Sequence, residues 1–128
     1  GRVKDIFKTS KGKYIAPSPI EMKLSENSNI EQVCVVGTGI PQPIALVVLS
    51  DNAKKSINYK ASIEETLKDV NQTLDKHEVI HNLIVVDDVW TVENKFLTPS
   101  MKIKRKNIEK KYQANYSTWY DQNTIIVL

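Results

Sequence analysis

A small α+β domain, with a sheet of short strands flanked by helices and a β-hairpin at its start, is predicted by three observations. Two apolar, β-rich runs, Val33–Val36 and Ile44–Leu49, have the length and Val/Ile/Leu content of strands buried on at least one face. Ile63, Leu67, Val70 and Leu74 recur at intervals of four, three and four, which draws one apolar stripe along a helix. The opening segment places Gly12 near the middle of two short extended stretches, the pattern of a hairpin. A chain of 128 residues fits one domain with a single modest core.

In chain order, residues 5–8 and 13–16 are the two arms of that hairpin around Thr9-Ser10-Lys11-Gly12. Ser18-Pro19-Ile20-Glu21 then reads as a helix start, with Ser18 as cap, Pro19 at the first helical position and Glu21 completing a capping box. That helix should end near Ser25, in a polar stretch. The segment Gly37-Thr38-Gly39-Ile40-Pro41 joins the two apolar strands and is a turn, because no helix follows its Gly-x-Gly pair and prolines do. Ser62-x-x-Glu65 is a second capping box and should open the striped helix, with Glu64 on its polar side. Leu83–Val86 is a further strand, residues 103–112 a basic helix facing inward through Ile108 and Tyr112, and Ile125–Leu128 a docked terminal strand.

Charge is segregated along the chain. Residues 1–23 hold six basic and two acidic side chains, residues 102–111 six basic and one acidic, and residues 24–101 six basic against eleven acidic. Two basic segments flanking an acidic middle point to a polyanionic partner: nucleic acid, membrane phosphate or a nucleotide polyphosphate. Cys34, the single cysteine, excludes an internal disulfide and reads as a small buried hydrophobe. His77 and His81 have no cysteine or histidine partner at metal-ligand spacing, and the adjacent carboxylates Asp87 and Asp88 diverge at a strand end, so no metal site is expected. No apolar run reaches the roughly 20 residues of a membrane-spanning helix, and the start at Gly1-Arg2 carries no signal-peptide pattern.

Two motifs go further. The opening Gly1-Arg2-Val3-Lys4-Asp5-Ile6-Phe7-Lys8-Thr9-Ser10-Lys11-Gly12-Lys13-Tyr14-Ile15-Ala16-Pro17-Ser18-Pro19-Ile20-Glu21 resembles the hinge-and-hairpin motif of adenylate-forming (AMP-binding) enzymes, with Glu21 explained by its capping box rather than by chemistry. Its Lys-Thr-Ser-Lys-Gly-Lys-Tyr wording is similar to the long-chain acyl-CoA synthetase branch. Leu97-Thr98-Pro99-Ser100-Met101-Lys102-Ile103-Lys104-Arg105 resembles the terminal catalytic-lysine motif of the same family. Many relatives carry glycine immediately before that lysine, where this chain has Met101; an apolar residue there is common in the long-chain branch. The resemblance covers about residues 1–112.

The resemblance implies a C-terminal lid domain over residues 1–128, with a hinge in residues 1–5 and a large N-terminal ATP- and acyl-binding domain outside this sequence. It implies two half-reactions: a fatty acid attacks the α-phosphate of ATP to give acyl-adenylate and pyrophosphate, then coenzyme A displaces AMP. ATP with Mg2+, held mainly by the N-terminal domain, and CoA as co-substrate follow from it. Lys102 is then the catalytic lysine, Lys4 the hinge, Arg2 a nucleotide ribose contact, and Lys11, Gly12 and Lys13 the hairpin of the thioester step. Lys104, Arg105 and Lys106 are expected to be surface charges. The expected partners are the chain's own N-terminal domain, ATP/AMP, fatty acid and CoA. The expected setting is cytoplasmic, with peripheral membrane association open to the parent enzyme. Two alternatives stand beside this reading: a ligase for another acid or acceptor, and a stand-alone basic module for nucleic acid or acidic lipid. Against the second, only Tyr112 and Tyr116 lie near the basic run, without a base-stacking pattern, so no nucleic-acid partner is expected.

Overall fold

A computed structural model describes residues 5–128. The hairpin strands β1 (Phe7–Lys8) and β2 (Tyr14–Ile15) pair antiparallel, with Phe7 opposite Ile15. Helix α1 spans Pro17–Leu24, and strands β3 (Ile30–Val36) and β4 (Ile44–Leu49) follow. Helices α2 (Asp51–Lys54) and α3 (Tyr59–Asn71) lead to β5 (Leu83–Val85). After a long loop come α4 (Arg105–Tyr112), α5 (Tyr116–Tyr120) and β6 (Ile125–Val127). Among the described residues the main sheet runs β3-β4-β5-β6, antiparallel at its first pair and parallel at the next two.

Side chains alternate across a strand, so a sheet with helices on both faces needs apolar residues at every central position. Strand β4 is buried throughout. On one face Val33, Val35, Ala45, Val47, Leu83 and Val85 pack against Ile20 and Leu24 of α1 and against Ile63, Leu67 and Val70 of α3. On the other, Cys34, Val36, Leu46, Val48, Ile84 and Ile126 pack against Ile108 and Tyr112 of α4 and Tyr116 and Trp119 of α5. The result is three layers with β3 and β6 as the edges of the sheet. No helix among the described residues is long and apolar enough to cross a membrane.

The α+β class, the strands and the basic helix follow the sequence reading; both helix starts do not. Helix α1 opens at Pro17 rather than at Pro19, with Ala16 as an N-cap that makes no side-chain hydrogen bond. Glu21 does not close a capping box, because its carboxylate binds the Val35 N–H at 2.7 Å and Arg105. Helix α3 opens at Tyr59, a turn earlier than the Ser62 box predicts. The Ser62 hydroxyl instead accepts from the side-chain amides of Asn27 at 3.0 Å and Asn29 at 3.1 Å, tying α3 to the turn before β3. Leu74 lies past the end of α3 and still packs, partly buried, against the same core.

Leu67 is 2% exposed, whereas Glu64 on the same helix faces solvent. Leu67→Ala should therefore cost about 2–4 kcal/mol, the usual effect of emptying a buried leucine site. Glu64→Ala should cost less than about 0.5 kcal/mol. Urea unfolding of both variants checks the helix face; equal effects would refute it.

Candidate functional site

Lys102 stands on a loop that the chain builds largely from its own backbone. Thr98 N–H donates to the Lys102 carbonyl at 2.8 Å, and Lys102 N–H returns to the Thr98 hydroxyl at 3.0 Å. Met101 N–H closes the turn onto the Thr98 carbonyl at 2.8 Å. Below it, Leu97 and Ile103 form an antiparallel bridge and Lys104 N–H reaches the Phe96 carbonyl at 2.9 Å. The backbone of Met101 is left-handed, with φ +69°. Methionine thus occupies the conformation that glycine takes without cost, at a penalty of about 1–2 kcal/mol. A tight turn stands before the lysine with a side chain in place of a glycine. The Lys102 side chain is exposed, and its ammonium has no partner among the described residues.

The lysine loop forms one wall of a cleft of about 490 Å3. Asp5, Ile6 and Phe7 line the same cleft, so the start of the hairpin and the lysine loop share one concavity. Lys104, Arg105 and Lys106 also line it, against the carboxylates of Asp5 and Glu109. Folding therefore joins the C-terminal basic segment to the border of the N-terminal one, in a concavity suited to an anion. Arg2 and Lys4 lie outside the described residues.

The hairpin tip is separate: Lys11, Gly12 and Lys13 are not among the residues of this cleft. Gly12 has φ +77°, the left-handed conformation its turn requires, and its N–H donates to the Thr9 carbonyl at 3.0 Å. The hairpin is braced on the loop between β3 and β4 by Ser10 N–H to the Ile40 carbonyl at 3.0 Å and by Lys11 Nζ to Gln42 Oε1 at 3.4 Å. Gly37 makes that docking possible. A Cβ there would come within 2.9 Å of the Pro43 backbone and 3.2 Å of the Phe7 ring.

Arg105 was expected at the surface, and the structure corrects this. Its guanidinium bonds the Glu21 carboxylate in a bidentate pair, Nη1 to Oε2 at 2.5 Å and Nη2 to Oε1 at 3.2 Å, with both side chains nearly nine-tenths buried. Nη1 also lies 3.3 Å from the Val35 carbonyl and 3.3 Å from Cys34 Sγ. Burial works against the guanidinium's charge, yet the Glu21 carboxylate bonded to it holds Arg105 above the usual arginine range. Burial likewise pushes the Cys34 thiol up, so it remains the inert, enclosed side chain the sequence suggested. No local signal could have linked Glu21 to Arg105, which stand 84 positions apart.

The remaining candidates are structural. Asp88 accepts from Lys111 at 2.6 Å and from the Tyr112 hydroxyl at 2.7 Å. His81 stacks on Tyr120, with ring centroids 3.7 Å apart. Asp75, His77 and Glu78 bring ligand atoms within 4.8 Å of one another, but Glu78 is already engaged by the Asp75 N–H at 3.1 Å.

Residues 4–124 match the family model described as the AMP-binding enzyme C-terminal domain. The chain belongs to that family. Among curated relatives of this C-terminal domain, long-chain-fatty-acid–CoA ligase 5 of Mus musculus is 30% identical over 94% of the chain and 20% of its own length. A chloroplastic long-chain-fatty-acid–[acyl-carrier-protein] ligase of Arabidopsis thaliana is also 30% identical, over 94% of the chain and 17% of its own length. The adenylation domain of a carboxylate reductase from Mycobacterium chelonae superposes with a TM-score of 0.79 at 25% identity, over 94% of this chain and 20% of that one. The C-terminal domain described here thus spans about a fifth of the length of the relatives it matches.

Strain at Met101 is testable without any assay of activity. Met101→Gly should be neutral or stabilising by up to about 1 kcal/mol, since glycine takes φ > 0 freely. Met101→Val should cost more than about 1 kcal/mol, because a β-branched residue resists the left-handed region. Urea midpoints that place valine level with glycine would refute a left-handed turn before Lys102.

Proposed function

We propose that this chain is the mobile C-terminal domain of an ATP-dependent long-chain fatty acid–CoA ligase, and that Lys102 serves the adenylation step. The observation that carries the reading is the placement of Lys102: an exposed ammonium on a tight, self-braced loop, in a cleft lined also by Lys104, Lys106 and residues 5–7. Adenylate formation builds negative charge on the α-phosphate and the departing pyrophosphate. An ammonium held at that point stabilises the transition state more than the ground state. Lys104 and Lys106, both exposed beside it, raise the local affinity for polyphosphate. Mg2+ belongs to the N-terminal domain: of the carboxylates in the cleft, Glu109 already accepts from Tyr116 at 3.2 Å and Thr38 at 3.3 Å.

The hairpin lies outside the cleft, which suits a domain that presents a second surface to CoA after rotating about residues 1–5. Lys11 and Lys13 supply charge at its tip, and Gly12 lets backbone approach a pantetheine arm closely. A second acceptor has specific support. The Arabidopsis relative, whose name gives a carrier protein as acceptor, matches as well as the mouse CoA ligase. Assaying the complete enzyme with CoA and with a pantetheinylated carrier protein separates the two.

In the complete enzyme, Lys102→Ala should slow acyl-adenylate formation by about 10²–10³, the scale for losing one positioned electrostatic donor. Supplied with preformed acyl-adenylate, that variant should still make the thioester near the normal rate. Lys4→Pro should do the reverse where proline's fixed φ permits the adenylation pose, because it restricts the hinge. Equal damage to both half-reactions by Lys102→Ala in a folded protein would remove the role given to that lysine.

The 128 residues alone should form no acyl-CoA from ATP, Mg2+ and palmitate, since the domain supplies a rim and not an enclosed ligand pocket. Turnover by the isolated chain would overturn the division of labour between two domains.

A further inference from the structure

The lysine loop is pinned at both ends to the same edge strand, β3. At its entry, Trp90 N–H donates to Gln32 Oε1 at 3.0 Å, and Gln32 Nε2 donates to the Trp90 carbonyl at 2.8 Å. At its exit, Arg105 binds Glu21 and the Val35 carbonyl while Glu21 accepts the Val35 N–H. The entry pin is 12 residues from Lys102; the exit pin is three residues from it and lines the same cleft. Arg105 is also the first residue of α4, whose N-cap, Lys104, makes no side-chain hydrogen bond. The burial of Ile108 and Tyr112 fixes which face of α4 turns inward. A bidentate ion pair fixes position and angle as well.

We propose that the Glu21–Arg105 pair is the positioning element that sets Lys102 in register for adenylate formation. The proposal rests on the reading of Lys102 given above. A nearly buried ion pair is a poor device for stability alone, because well-packed apolar residues of similar size commonly serve as well or better. Its geometry here supplies what an apolar pair cannot: a directional link from α1, across the sheet edge, to the residue three positions after the lysine. Arg105 acts through Lys102 and is a positioning residue in this account.

The test uses the complete ligase and four variants: Lys102→Ala, Arg105→Met, Arg105→Lys and the double variant Glu21→Leu/Arg105→Met. Urea midpoint, kcat and KM for ATP in adenylate formation, and acyl transfer from preformed adenylate are measured for each. Arg105→Met alone strands a buried carboxylate and should lower the urea midpoint. The double variant should return the midpoint close to wild type. It should still lose about 10- to 100-fold in adenylation kcat, the scale of a small misplacement of a catalytic group, with KM for ATP and the acyl transfer step near normal. Arg105→Lys, which keeps the charge without the fork, should fall between wild type and the double variant in kcat. A double variant, or a folded Arg105→Lys, with wild-type midpoint and wild-type kcat overturns the proposal. So does a double variant whose midpoint and both half-reactions fall together while Arg105→Lys keeps normal kcat. The Lys102→Ala arm separates the two readings. If it leaves adenylation intact, the role of Lys102 fails and this inference with it; if it slows adenylation and the pair variants do not, only the positioning role fails.

Discussion

The edge of β3 carries more of this architecture than its place in the sheet suggests. An edge strand presents unpaired N–H and C=O groups, which a protein must cover or leave as a template for another chain. Here the two ends of one ion pair cover both groups of a single residue. Glu21 takes the Val35 N–H and Arg105 reaches the Val35 carbonyl, in the manner of a missing neighbouring strand. Because Glu21 comes from the helical layer on one face and Arg105 from the layer on the other, the same contact clasps all three layers at their rim. Burial pushes the Glu21 carboxyl up from its ordinary value, against the hydrogen bond and charge of Arg105. The bidentate fork and the Val35 contacts offset that desolvation, although Arg105 Nε is buried without a partner among the described residues.

Around this clasp the fold divides its work between a rigid base and two presented tips. The hairpin tip turns on left-handed Gly12, and the tight turn from Thr98 to Lys102 on left-handed Met101. One is glycine and free of strain; the other holds a Cβ where none fits easily. Sparsely populated backbone conformations persist only where surrounding contacts over-determine them. The Thr98 hydrogen bonds and the Leu97–Ile103 bridge supply those contacts around Met101. Family membership and fold agree with this layout.

What could be read from the sequence follows from the range of each signal. The α3 stripe and the β3 and β4 runs were legible because burial imposes a period on neighbouring residues, and Ile63, Leu67 and Val70 carry it. Basic helix α4 was legible for the same reason, through Ile108 and Tyr112. The starts of α1 and α3 were misread because Glu21 and Ser62 had the local grammar of capping boxes while tertiary partners claimed their side chains. Arg105 was misread because a charge beside Lys104 and Lys106 looks like one more solvated cation. Nothing within a window of ten residues reports that its partner lies 84 positions away. The lysine itself was found through a resemblance of motif, and its cleft with residues 5–7 became visible only in three dimensions.

The enclosed thiol has a use beyond packing. Cys34 is the single cysteine in the sequence, it is fully buried, and its sulfur sits against Arg105 Nη1 behind the clasp. A thiol reagent can reach it only when the layer of α4 and α5 or the edge of β3 opens, so the rate of alkylation measures that opening rather than surface exposure. The protein thus carries an intrinsic chemical clock at the seam that binds its layers, readable by mass without any label being introduced.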